Sequence, residues 1–104
     1  MSILEKDILD GVAISKKDNN LVLFLSDELD FKDEYNHLLL LQDKINSYIA
    51  YIETEQYKEE YPDYLFNDII VEIHFKYEPT DNCKHFIEIV NSIVDKYNMK
   101  CVIK

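Results

Sequence analysis

The chain is predicted to adopt an α+β fold. The expected form is a two-layer sandwich of about four strands, mainly antiparallel or mixed, with two helices on one face in the order ββαβαβ. Three observations predict it. Residues 69–78 alternate between apolar and polar with period two, the pattern of a strand with one buried face. Residues 33–56 and 83–97 each carry a single apolar stripe at three- and four-residue steps, the pattern of a helix packed on one side. The length of 104 residues is enough for one domain, 1–104, and not for two. A helix with one stripe covers one sheet face, so two such helices and four strands make two layers.

Residues 3–10 are short and mixed, and read as a helical turn closed by Gly11. A hairpin follows. Val12–Lys16 and Leu21–Leu25 are its strands, and Lys17-Asp18-Asn19-Asn20 is its turn, because Asp and Asn tolerate left-handed backbone angles. Val12, Ile14, Leu21, Leu23 and Leu25 face one way, while Val22 and Phe24 face the other. Ser26 to Asn36 is then an acidic loop.

The first long helix runs from about Asp33 to Gln56, with Leu38, Leu41, Ile45, Tyr48, Ile49 and Ile52 on its stripe and Leu39, Leu40 and Tyr51 beside it. Asp33 and Glu34 sit at its start, where negative charge suits the helix dipole. Tyr57 to Asn67 is an aromatic, acidic connection broken by Pro62. In the next strand Ile69, Val71, Ile73, Phe75 and Tyr77 face inward, and Glu72, His74, Lys76 and Glu78 face water. Thr80 or Asp81 caps the second long helix. Its stripe is Cys83, Phe86, Ile87, Val90, Ile93, Val94 and Tyr97, and Asn98 supplies a left-handed stop. Met99–Lys104 is the last strand, with Cys101 and Ile103 inward. Helical crossovers between parallel strands are expected to be right-handed.

Charge narrows the function classes. Twenty-one acidic residues against eleven lysines give a net charge of −10. Such a surface repels nucleic-acid phosphates and anionic lipid headgroups, so neither nucleic acid nor membrane is an expected partner. A basic protein is the electrostatic complement. Arginine is absent, so no guanidinium fork exists to clamp a phosphate bidentately. One glycine rules out a glycine-rich phosphate loop. Cys83 and Cys101 have no metal or redox spacing and read as small buried hydrophobes. No signal pattern opens the chain and no apolar run could span a bilayer, so a reducing, cytoplasmic setting is expected.

The candidate surface lies in the acidic loop and the tyrosine run. Asp27, Glu28, Asp30, Asp33 and Glu34 supply five carboxylates, with Phe31 and Tyr35 between them. Tyr57 and Tyr61, with Tyr51 and Tyr64, add aromatic surface that suits a partner bearing Lys or Arg. These acids fall every third residue with no glycine for a tight turn, so no metal site is expected. His37, His74 and His85 share no catalytic spacing. His74 lines up with Glu72 on a wet strand face, and general acid–base work would also need a pocket and an orienting partner. No catalytic residue and no cofactor are expected.

Across SDELDF, HLLLLQDKINSYIAYIE and VEIHFKYEP the chain resembles a family of small bacterial single-domain proteins of unknown function. The resemblance spans residues 10–104. It implies a single cytoplasmic domain and carries over no catalytic residue.

The leading expectation is a non-enzymatic protein-interaction module that binds a basic partner, in the manner of an immunity or antitoxin protein. A self-associating module, such as a homodimer using Val22, Phe24 and Ile70, is the alternative. A small enzyme or ligand-binding protein using Glu72, His74 and the acidic loop comes third.

Overall fold

The computed structural model describes residues 3–5 and 9–104. Its elements are β1 (Gly11–Ser15), β2 (Asn20–Asp27), α1 (Glu34–Glu53), α2 (Gln56–Glu60), β3 (Ile69–Phe75), α3 (Asp81–Val94) and β4 (Met99–Ile103), with a 3-10 turn at Asp95–Tyr97 before β4. The four strands form one mixed sheet in the order β1-β2-β3-β4. β1 and β2 are antiparallel, and β2–β3 and β3–β4 are parallel. The fold is α+β, and parallel pairing outweighs antiparallel.

The hairpin turns through Asn19, whose φ of 55° is the left-handed conformation asparagine tolerates. Gly11 opens β1 and does not close a helix. It pairs with Phe24, and a Cβ there would lie 3.1 Å from the Phe24 ring, so a side chain would crowd it. The helical turn expected over residues 3–10 lies partly outside the described residues.

Burial follows the strand period. Leu21, Leu23 and Leu25 of β2 are buried, as are Ile69, Val71 and Ile73 of β3 and Met99 and Cys101 of β4. Leu41, Ile45, Tyr48 and Ile52 of α1 and Cys83, Ile87, Val90 and Val94 of α3 join them in one core cluster. Val22, Phe24, Ile70 and Val102, at the intervening positions, are half-buried.

The ends of the elements have physical causes. Asp33 caps α1 by accepting from Asn36 N–H, and Thr80 caps α3 by accepting from Cys83 N–H. Asn98, at φ 56°, turns the chain into β4. α1 stops at Glu53, short of the expected Gln56, because Glu55 takes a left-handed φ of 60°. The short helix α2 follows within what was expected to be an irregular connection.

β3 ends at Phe75, the last residue facing β2, and Tyr77 is exposed. Ile93 and Ile103 are exposed too, although their spacing put them inward. The buried stripe of α3 narrows to Cys83, Ile87, Val90 and Val94, and Ile103 lies at the extreme end of β4. Asn91 of α3 closes the free edge of β4, accepting from Cys101 N–H at 2.7 Å and donating to Cys101 C=O at 2.9 Å. That side chain blocks strand addition at the middle of the edge.

A buried polar network ties the start of the chain to α1. Lys44, fully buried, puts its ammonium 2.8 Å from Asp10 Oδ1 and 3.3 Å from the Glu5 carbonyl. Asp10 Oδ2 accepts from Ser26 N–H at 2.8 Å. The Tyr48 hydroxyl accepts from Asp10 N–H at 3.1 Å and donates to Phe24 C=O at 2.5 Å. Burial pushes the Tyr48 phenol up to about 12, so it stays protonated and a donor. Among the described residues, no helix is long and apolar enough to cross a membrane.

Candidate functional site

The acidic loop leaves the carboxyl end of β2 and enters α1. Its first carboxylate is not on the surface. Asp27 continues the inward phase of Leu21, Leu23 and Leu25 and is only 1% exposed. Its Oδ2 lies 2.5 Å from Nε2 of His37, which sits in the first turn of α1 and is also buried. Nδ1 of His37 is 2.9 Å from the Asp30 carbonyl. A carbonyl can only accept, so Nδ1 carries a hydrogen and donates it. One proton then occupies the Nε2–Oδ2 line, on the ring or on the carboxyl. Burial raises the Asp27 carboxyl above its usual range, while the His37 hydrogen bond and charge pull it down.

This pair organises the loop. Phe31 stacks on the His37 ring at a centroid distance of 4.1 Å and leans toward Phe75 at 6.0 Å. Leu29 N–H donates to Asp27 Oδ1 at 3.1 Å, and Lys32 N–H to Asp30 Oδ1 at 3.1 Å. Glu34 bridges the two long helices. Its carboxylate accepts from the Thr80 hydroxyl and from Asn82 Nδ2 at 2.9 Å, and these bonds hold it below the usual carboxylate range.

The expected interaction residues therefore separate. Asp27 is buried and unavailable to a partner. Phe31 is spent on His37, and Glu34 on the start of α3. Glu28, Asp30 and Asp33 converge on a cleft of about 310 Å³, with Leu29, Leu40 and Tyr77 on its walls and His37 and Asn36 completing the lining. Tyr35 stands free nearby at 74% exposure.

Tyr57 and Tyr61 belong elsewhere. They are half-buried around Phe66 with ring centroids 6.3 and 6.2 Å away, in the segment that leads into the start of β3. β2 and β3 run parallel, so that cluster and the acidic loop lie at opposite ends of the strands. Tyr57 and Tyr61 therefore do not adjoin the acidic loop. Tyr51, expected to be partly exposed, is buried, and its hydroxyl donates to Glu60 at 2.8 Å.

Both ring nitrogens of His37 are occupied, which leaves none for a substrate. His74 is exposed and meets Glu72 at 3.2 Å, and it shares a hollow of about 250 Å³ with Asp27 and Glu28. His85 is exposed beside Glu88 at 3.7 Å. Both cysteines are free and buried. Burial raises the Cys101 thiol to about 12, and burial with the charges of Asp27 and Glu34 raises Cys83 to about 11, so neither is a ready thiolate at neutral pH. Among the described residues, no three His, Cys, Asp or Glu side chains gather to hold a metal ion.

Sequence reasoning left Leu40, Tyr77 and the buried role of His37 out of this site. One signal pointed to His37: it lies four residues before Leu41, in phase with the buried stripe of α1.

The chain belongs to a family of unknown function, DUF6572, whose model matches residues 1–104. No curated protein and no solved structure matches it.

Proposed function

We propose that this member of DUF6572 is a non-enzymatic interaction module that binds a basic protein, as an immunity or antitoxin protein does. In this reading it is a two-layer sandwich. α1 and α3 cover the buried sheet face, and the acidic cleft at the carboxyl end of β2 is the docking point. The convergence of Glu28, Asp30 and Asp33 on one apolar-walled cleft carries the proposal. A lysine or arginine from the partner would lay its methylene stem against Leu29, Leu40 and Tyr77 and hold its cation among the carboxylates. The Asp27–His37 pair sets the loop that carries those carboxylates. The free thiols suit a reducing, cytoplasmic setting.

The test is to tag the protein, recover it from its native host at low and high salt, and repeat with Asp30→Lys. A basic protein retained at low salt should be released at high salt, because exposed charges are screened beyond roughly 8 Å at physiological ionic strength. Asp30→Lys should weaken its binding at least tenfold. Retention indifferent to both salt and Asp30→Lys would reject the reading.

Self-association is the second reading. Val22, Phe24, Ile70 and Val102 are half-buried at the alternate sheet positions and would form the apolar centre of an open outer face. A chain that sediments as a monomer at high concentration would remove it.

A further inference from the structure

Beside the acidic cleft, on the other side of Tyr77, the local charge reverses. A cavity of about 460 Å³ lies past the carboxyl ends of β3 and β4, and Lys76, Lys84 and Lys104 line it, with Glu78 the one acidic side chain among the described residues that line it. The chain has eleven lysines and 21 acidic residues, so three lysines around one hollow run against its composition. We infer that this cavity is an anion site for a phosphate ester, with the phosphate among the lysines and the rest of the ligand against Tyr77 and Ile103.

The lysines are held by three separate parts of the chain. Lys76 N–H donates to the Asp27 carbonyl at 2.9 Å, which pins the exit of β3. Lys84 lies in the first turn of α3, its N–H on the Thr80 carbonyl at 3.0 Å. Lys104 N–H donates to the Ile73 carbonyl at 2.9 Å, which pins the end of β4. Fixed backbones bring the three lysines to the lining of one hollow. Without arginine, recognition is by point charges, the way a lysine meets a phosphate.

Glu78 is a displaceable counter-ion. Its carboxylate lies 3.4 Å from Lys84 Nζ, with the two side chains 86% and 48% exposed. A pair so wet contributes little, so an incoming phosphate can replace it. Tyr77 offers a ring to the ligand's body, and Lys76 already lies 5.5 Å from that ring's centroid. The volume falls within the usual span of small-molecule sites, roughly 300–1,000 Å³.

The experiment is an amide NMR titration of the full chain with three probes: inorganic phosphate, adenosine monophosphate and adenosine. Adenosine monophosphate should give saturable shifts at Lys76, Tyr77 and Lys84. Phosphate should shift the same residues more weakly, and adenosine should leave them in place. Lys76→Ala with Lys84→Ala should weaken nucleotide binding at least tenfold, and both sites are exposed enough for the fold to survive. Asp30→Lys, which disables the proposed protein-docking cleft, should leave nucleotide binding intact, so the two proposals fail separately. Shifts that never saturate, equal binding of adenosine, or binding unchanged in the double variant would each overturn the anion site.

Discussion

Replacing His37 with alanine isolates Asp27. The carboxylate would lose its 2.5 Å partner and, among the described residues, keep Leu29 N–H at 3.1 Å. At 1% exposure it has no ready access to water, and its escape from desolvation is to take up a proton. From an ordinary value of 3.8, protonation at pH 7 costs about 4 kcal/mol, at ~1.36 kcal/mol per unit. At pH 5 the same step costs about 1.6 kcal/mol. The lost bond to the Asp30 carbonyl and the lost stack on Phe31 add about 1–2 kcal/mol at either pH. His37→Ala should therefore destabilise the protein by about 5–6 kcal/mol at pH 7, at or slightly above the scale of a broken buried ion pair, and by about 2–3 kcal/mol less at pH 5. Urea unfolding at the two pH values measures both numbers. Adding Asp27→Asn removes the group that needs the proton, so the double variant should show the packing loss without its pH dependence. A loss below about 1 kcal/mol at pH 7, or equal losses at the two pH values, would refute the argument that His37 alone sustains a buried charge.

Two further predictions concern buried charge. In the intact chain burial holds the Asp27 carboxyl above its usual 3.8, so the protonated form favours folding. That contribution is complete below 3.8 and is lost as pH rises through the folded value, because the folded state binds more protons over that window. Stability of the parent relative to Asp27→Asn should fall as pH is raised from about 4, and parallel stability curves would discard the claim. Lys44→Met keeps the buried stem but strips the charge facing Asp10, and it should cost about 3–5 kcal/mol in urea unfolding. Adding Asp10→Asn removes the charge while keeping an acceptor for Ser26 N–H, so it should recover part of the loss, and a double variant less stable than Lys44→Met would contradict a charge penalty.

What the sequence made legible was phase, and what it concealed was which polar side chains share that phase. Asp27 falls two residues after Leu25, continuing the inward positions 21, 23 and 25. His37 and Lys44 fall in phase with Leu41, Ile45 and Tyr48 on the buried side of α1. Reading charge as a sign of solvent cuts the strand at Leu25 and makes Asp27 a loop residue, although periodicity alone carries it inward. The meeting of Asp27 with His37 had no local signal, because it depends on how α1 returns across the sheet. The same crossover separates Tyr57 and Tyr61 from the acidic loop: seven residues of β3, at about 3.3 Å each, lie between the two ends.

This placement changes what the acidity can do. Of the five loop carboxylates, Asp27 is bound to His37 inside the protein and Glu34 is bound to Thr80 and Asn82. Asp33 caps α1 but remains exposed, and Glu28 accepts from Ile3 N–H at 3.3 Å, yet both line the cleft with Asp30, and these three are the charges the proposed partner would meet there. In the proposed reading, the −10 of the whole chain would set how strongly a basic protein is drawn in from a distance. The three carboxylates at the cleft would set what holds it there. Salt should therefore slow association through the full charge, while substitution at Asp30 should act mainly on dissociation, and the separate rates distinguish a docking site from general attraction to an acidic surface.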